Sequence, residues 1–201
     1  MFKRFDPSTD VSTSTQVKAS VQRNLKSQIL STNPKITEEQ LEVVLPKKPP
    51  LIQYKVGPHL MLYCSSDEEQ EPLLFQSRDG PILPTLKFVH AYPDLKFRHV
   101  VVDEGAIPFI LGGANIMCPG LTSKGGWMPP DDDDVDVDVN NKGEGLEKGD
   151  GIVIYADGKD HALAVGVMKM GSRTVRSKNK GIGIEVAHFL GDGLYQTNEI
   201  S

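Results

Sequence analysis

The stretch Val102–Leu121, VDEGAIPFILGGANIMCPGL, restricts the possible folds more than any other part of the chain. Asp103 stands where a helix N-cap belongs, and Glu104 follows in the first turn, where a carboxylate suits the helix dipole. Ala106, Ile107, Phe109, Ile110 and Leu111 supply the apolar side of a short helix. Gly112 and Gly113 stop it, as glycines after a last apolar turn do. Ala114, Ile116 and Met117 then read as a short strand, and Pro119-Gly120 ends that strand in a turn. Small residues at such a corner allow another backbone to come close. Two readings stay open: the glycines shape the corner of a barrel, or they admit an RNA backbone to it.

At 201 residues the chain has room for one or two small domains. Its 38% hydrophobic and 24% charged residues suffice for an ordinary core. No run approaches the ~18 apolar residues of a transmembrane helix. The N-terminus is polar from Lys3 onward and lacks the apolar centre of a signal peptide, so a cytoplasmic location is expected. The two cysteines, Cys64 and Cys118, lie far apart in strand-like apolar contexts. They read as reduced, buried thiols and not as half of a zinc site.

The net charge of −5 argues against RNA until its distribution is considered. Residues 1–100 carry 13 basic and 11 acidic side chains, a balance of +2. Residues 101–201 carry 9 and 16, a balance of −7. Eight of those carboxylates fall between Asp131 and Glu147, and setting them aside leaves the second half at +1. The chain is near neutral with one acidic segment, so tight non-specific binding of nucleic acid is not expected.

Taken in order, Phe2 and Phe5 frame the basic pair Lys3-Arg4. Val17, Val21, Leu25 and Ile29, spaced by four, predict a helix over Ser12–Leu30, with Lys18, Arg23 and Lys26 off the apolar stripe. Those cations are either a solvated face or an RNA contact. Asn33-Pro34 breaks the helix, and Thr37-Glu38-Glu39-Gln40 reads as a capping box opening a second one through Leu45. Pro46-Lys47-Lys48-Pro49-Pro50 is a stiff basic connector. Leu51–Val56, Leu60–Ser65 and Leu73–Gln76 read as strands, and Thr85–Ala91 as a helix with Pro84 in its first turn.

Tyr92-Pro93-Asp94 marks the best boundary, giving a small α+β domain over 1–93 and a second domain over 94–201. Ser123–Lys148 is almost devoid of apolar residues, so a flexible acidic insertion is expected over about 124–148. Its carboxylates lack the Gly and Glu positions of an EF-hand loop, and no metal is expected. Ile152–Tyr155, His161–Met170 and Gly181–Phe189 read as strands of a small barrel, and Ser172 as the cap of a short basic segment.

No nucleophile elbow, P-loop or dinucleotide fingerprint is present. The five histidines, His59, His90, His99, His161 and His188, show no metal-ligand spacing. No catalytic residue and no cofactor is therefore expected, and the chain reads as a non-enzyme.

DEGAIPFILGGANIMCPG resembles the first half of a PUA domain, a small RNA-binding pseudo-β-barrel, and KGDGIVIYADGKDHALAVGVMKM with NKGIGIEVAHFLGDGLY resembles the second. With MFKRFDPSTDVS, VLPKKPP and FQSRDGPILPTLKFVHAYP added, the whole chain resembles the malignant T-cell-amplified sequence family, apart from the acidic insertion. The resemblance implies an α+β fold: an N-terminal pre-PUA domain followed by a PUA pseudo-β-barrel. It implies a non-catalytic translation factor acting with density-regulated protein, as a heterodimer, on the small ribosomal subunit. The implied work is tRNA release and recycling, reinitiation and non-standard initiation. Gly105, Ala106, Phe109, Gly113, Ala114 and Asn115, with Lys159 on a hairpin turn, would then meet the tRNA acceptor end. Pro108 stands where the resemblance implies a lysine. Lys3, Arg4, Lys18, Arg23 and Lys26 would face ribosomal RNA. A ribosome-assembly factor, or the RNA-binding subunit of an RNA-modification enzyme, is the alternative.

Overall fold

The computed structural model describes residues 1–131 and 145–200. They form two compact units, one of Phe2–Arg98 with the segment from Gly191 on, the other of His99–Leu190. The expected second domain, 94–201, differs from this grouping at both of its ends.

In the first unit α1 (Pro7–Asp10) leads into β1 (Val11–Gln16), followed by α2 (Ala19–Thr32) and α3 (Glu38–Val44). β2 (Ile52–Val56), β3 (Leu60–Cys64), β4 (Pro72–Ser77) and β5 (Ile82–Pro84) complete an antiparallel sheet in the order β1-β2-β3-β4-β5, and α4 (Leu86–Ala91) follows. The helix expected over Ser12–Leu30 is corrected here. VSTSTQ alternates β-branched and hydroxyl side chains, which suits an exposed edge strand, and it pairs with β2 from Val11↔Val56 to Gln16↔Ile52. Val21, expected in the core, is 38% exposed, and Gln22 is buried in its place beside Leu25 and Ile29. Gln22 tolerates burial because both ends of its amide are bonded. Its Nε2 donates to Pro46 O at 2.6 Å, and its Oε1 accepts from Leu51 N at 3.2 Å. The capping box at Thr37–Gln40 forms as expected. Thr85 is the N-cap of α4, and Pro84 ends β5 instead of opening the helix.

In the second unit β6 (His99–Val102) runs into a 3-10 turn, Glu104–Ala106, and then α5 (Ile107–Leu111). β7 (Ile116–Met117), α6 (Pro119–Thr122), β8 (Gly151–Ala156), β9 (Ala164–Met168), α7 (Ser172–Lys178) and β10 (Ile182–Phe189) follow. The sheet order is β6-β8-β9-β10-β7, with β6 parallel to β8 and the other pairs antiparallel. This curled half-barrel closes over Val100, Val102, Ile110, Ile116, Leu121 and Ile154, all buried. Each such side chain contributes about 1.5–3 kcal/mol. Pro119-Gly120, expected as a turn, opens α6, since proline suits a first helical turn.

Inside the bounds expected for the flexible insertion, about 124–148, both described flanks are anchored. Trp127 exchanges two backbone hydrogen bonds with Val101, at 2.8 and 2.9 Å, and Met128 is buried. On the far side Leu146 is buried, and its N–H donates to Ser172 Oγ at 2.9 Å. Ser172 is fully buried and is not a cap; Gly171 is the N-cap of α7. The Ser172 hydroxyl donates to Asp131, and the Arg176 guanidinium pairs with Asp131 and donates to Pro129 O at 2.6 Å. Residues 132–144, with most of the acidic run and the calcium-loop comparison made on it, lie outside the described residues.

The last helix, α8 (Gly193–Gln196), belongs to the first unit. Gly193 N donates to Phe2 O at 3.0 Å. A side chain at 193 would place Cβ 2.5 Å from Phe5 N, so only glycine permits this approach. Lys87 Nζ donates to Thr197 O at 2.6 Å and secures the tail.

Candidate nucleic-acid interface

The corner after α5 is built by the Gly-Gly pair, with only one of the two glycines conformationally required. Gly112 sits at φ −80° and Gly113 at φ +82°. Gly113 N donates to Ile110 O at 2.8 Å and Ala114 N to Phe109 O at 2.9 Å. These are the two bonds of a Schellman motif, which needs a left-handed residue just past the helix. The barrel-corner reading therefore accounts for Gly113. Gly112, Gly113, Ala114 and Asn115 are nevertheless all exposed.

Asp103 stands at the N-cap of the Glu104–Ala106 turn, as expected, but its side chain makes no capping hydrogen bond. Its carboxylate accepts from Ser123 Oγ at 3.0 Å. A Cβ at Gly105 would lie 2.9 Å from Asp103 Oδ1, so this turn too is tight. Ala106, Ile107 and buried Ile110 pack on the barrel core. Phe109 does not: it is 68% exposed, at a position that its helix turns outward. Leaving an aromatic ring of this size in water forgoes about 1.5–3 kcal/mol of burial. Asn115 carries a structural bond, its Oδ1 accepting from Val186 N at 3.0 Å where β10 passes beyond β7. Lys159, on the turn between β8 and β9, reaches Glu104 at 3.3 Å. The fold thus brings Lys159 beside the Glu104–Ala106 turn, although 55 residues separate Lys159 from Glu104.

The structure adds residues to this face that the sequence does not announce. Met117 and Ile182 pair directly across β7 and β10, and are 50% and 41% exposed. β7 is the outer strand of the sheet. Cys118 N donates to Gly181 O at 2.9 Å, which sets exposed Lys180 next to the apolar pair. Ile116 and Met117 are both apolar, so nothing local marks Met117 as the exposed one, and Ile182 becomes its neighbour only in three dimensions.

Comparison with known proteins bears on both units. Residues 5–93 match the Pre-PUA-like domain family and residues 98–190 the PUA domain family. The chain is 44% identical to "Malignant T-cell-amplified sequence 1 homolog" of Dictyostelium discoideum, over 98% of both chains. It is 43% identical to "Malignant T-cell-amplified sequence 2" of Homo sapiens, over 97% of both. The chain belongs to the malignant T-cell-amplified sequence family. Identity to "Translation machinery-associated protein 20" of Schizosaccharomyces pombe is 41%, over 98% of both. A hypothetical protein from Pyrococcus horikoshii shares the fold, with a TM-score of 0.68 at 22% identity over 92% of this chain and 99% of that one. A PUA domain structure from Aeropyrum pernix gives 0.60 at 22% identity, over 94% and 92%.

In this family member the basic residues of the first unit divide into two groups. Lys3, Arg4, Lys18 and Arg23 are exposed. The Lys26 side chain is only 12% exposed and pairs with Glu42 at 2.6 Å, an arrangement that holds the Glu42 carboxyl below its ordinary range. Among the described residues no cluster of three or more His, Cys, Asp or Glu side chains is placed to hold a metal ion. Burial pushes the Cys64 thiol up to about 12, which leaves it protonated and a poor nucleophile. No helix among the described residues is long and apolar enough to cross a membrane.

Proposed function

We propose that the chain is a non-catalytic, RNA-binding translation factor whose PUA barrel meets the acceptor end of tRNA on the small ribosomal subunit. The observation that carries this reading is Phe109, an aromatic ring left in water at a corner of small exposed residues. Unstacked bases at an RNA end stack on such rings, with about 1–3 kcal/mol per base, and hydroxyls and phosphates find nearby backbone and cations. Gly105, Ala106, Gly113 and Ala114 leave the approach unobstructed, and Lys159 supplies charge. Met117, Ile182 and Lys180 extend the contact along the β7 edge. Lys3, Arg4 and Lys18 of the pre-PUA unit face ribosomal RNA. Density-regulated protein is the partner, forming a heterodimer that acts in tRNA release and recycling, in reinitiation and in non-standard initiation in the cytoplasm. Full-length relatives named for the translation machinery support the assignment.

Ala114→Trp is the direct test, because it adds bulk at an exposed position without touching the left-handed glycine. The expected outcome is an unchanged melting temperature, retained binding of density-regulated protein and loss of tRNA placement on reconstituted small subunits. Normal placement would reduce the corner to barrel scaffolding. Co-sedimentation with large-subunit precursors instead of mature small subunits would favour an assembly factor.

A further inference from the structure

A concave site lies in the first unit, beside Gln22. Gln22 ties Pro46 O and Leu51 N to α2, so the connector runs alongside that helix while α3 forms the opposite wall. Between them opens a cleft of about 700 Å³. That volume is within the ~300–1,000 Å³ range of ligand-sized pockets, enough for a few side chains but not for a domain. Ala19, Leu30 and Leu41 give it apolar surface, and Arg23, Lys47 and Lys48 add cations. Lys26 and Glu42 also line it, but they neutralise one another at 2.6 Å. The remaining charges are three cations and Glu38, an excess of two positive charges.

We propose that this cleft is a docking groove for a short segment of a partner protein that combines aliphatic side chains with carboxylates. The apolar surface takes the aliphatic groups, and Arg23, Lys47 and Lys48 take the acidic ones. The chemistry distinguishes this occupant from RNA. Single-stranded nucleic acid is held by cations interleaved with aromatic platforms for its bases. Among the described residues that line the cleft none is aromatic. An acidic, aliphatic peptide needs no such platform. The proposal is independent of the RNA reading of the barrel corner.

The test is selection of a random heptapeptide display library on the full-length chain, followed by binding of the enriched peptides to three proteins. These are the wild type, Lys47→Glu/Lys48→Glu, and Ala19→Trp, which fills the groove without changing its charge. Thermal melts establish that both variants fold; a variant that does not is replaced by Lys48→Glu alone. Enrichment of peptides holding both carboxylates and Leu, Ile or Val is expected, with binding weakened about tenfold or more in each variant. Enrichment of basic or wholly polar peptides, or equal binding to all three proteins, overturns the proposal. A twelve-nucleotide single-stranded RNA is titrated in parallel. Displacement of the enriched peptide by that RNA on the wild type would make the cleft a phosphate surface and would likewise overturn it.

Discussion

The barrel carries two loops that the sequence presents as alike, polar or glycine-rich breaks between apolar runs, and the fold treats them in opposite ways. At the Gly112–Asn115 corner the Schellman bonds hold the backbone, and one side chain, Asn115, ties it to Val186 N. The side chains there are turned outward, with Phe109 left in water. At the flanks of the acidic insertion side chains add to the holding done by the Trp127–Val101 backbone bonds. Leu146 and Met128 are buried, and Ser172 and Arg176 clamp Asp131. A loop that satisfies itself through its backbone can offer its side chains to a ligand. A loop that depends on its side chains for anchorage cannot.

The largest effects should therefore come from the anchored loop. Leu146→Ala removes a buried side chain and is expected to cost about 2–5 kcal/mol, read from the midpoint of urea unfolding. Arg176→Ala takes the guanidinium from a mostly buried Asp131 carboxylate and should cost about 1–3 kcal/mol. Neither should alter the affinity of the folded protein for RNA. A stability loss below ~0.5 kcal/mol from both would place the insertion flanks in the same class as the corner and would erase the contrast. For the same reason, excising Met128–Gly145 with a short Gly-Ser link is expected to destabilise the barrel, since it removes a buried Met128 and the clamped Asp131.

How far this contrast could be read in advance depends on the range of the interactions. The helix–glycine–strand order around Gly113 is a local pattern, and it was legible. So was the capping box at Thr37, where donor and acceptor lie three residues apart. β1 was misread as the start of a helix because its structure is set by β2, some forty residues away, whereas the four-residue spacing of Val17, Val21, Leu25 and Ile29 was adjacent and persuasive. Gln22 was passed over because a polar residue enters a core only with partners, and Pro46 and Leu51 are not identifiable from a helical period. The insertion flanks were misjudged on composition: Trp127, Met128 and Leu146 are isolated apolar residues in a polar run, and no periodicity marks them as buried or paired. In the site, Phe109 was named but its exposure was not, and Ile182 is brought to Met117 only by strand pairing.

Phe109→Ala should produce the next largest effect, with the opposite signature to Leu146→Ala. Stability should stay within about 0.5 kcal/mol, because the ring buries little of its surface. Binding of an acceptor-stem RNA should weaken by about five- to a hundredfold, the equivalent of one stacked base. Parallel unfolding and RNA titrations on Phe109→Ala and Leu146→Ala form a crossed comparison: each variant should fail in the assay that the other passes. If Phe109→Ala binds RNA as the wild type does, the exposed ring serves some other contact.

The smallest effect, and the most specific, belongs to Lys159. Its pair with Glu104 is 3.3 Å long between side chains 48% and 74% exposed, so the pair contributes next to nothing to stability. Lys159→Ala should leave the unfolding midpoint in place. On the proposed RNA-binding face the same lysine would neutralise a phosphate, and its loss should lower affinity a few-fold while reducing the slope of log affinity against log salt by about 0.7–0.9. Glu104→Gln sharpens the argument through its sign. Removing the carboxylate that competes for Lys159 should strengthen RNA binding at low salt, without adding any contact to the RNA. An unchanged salt slope in Lys159→Ala, together with no gain in Glu104→Gln, would separate the hairpin turn from the interface and leave Phe109 and the corner to hold the RNA on shape and stacking.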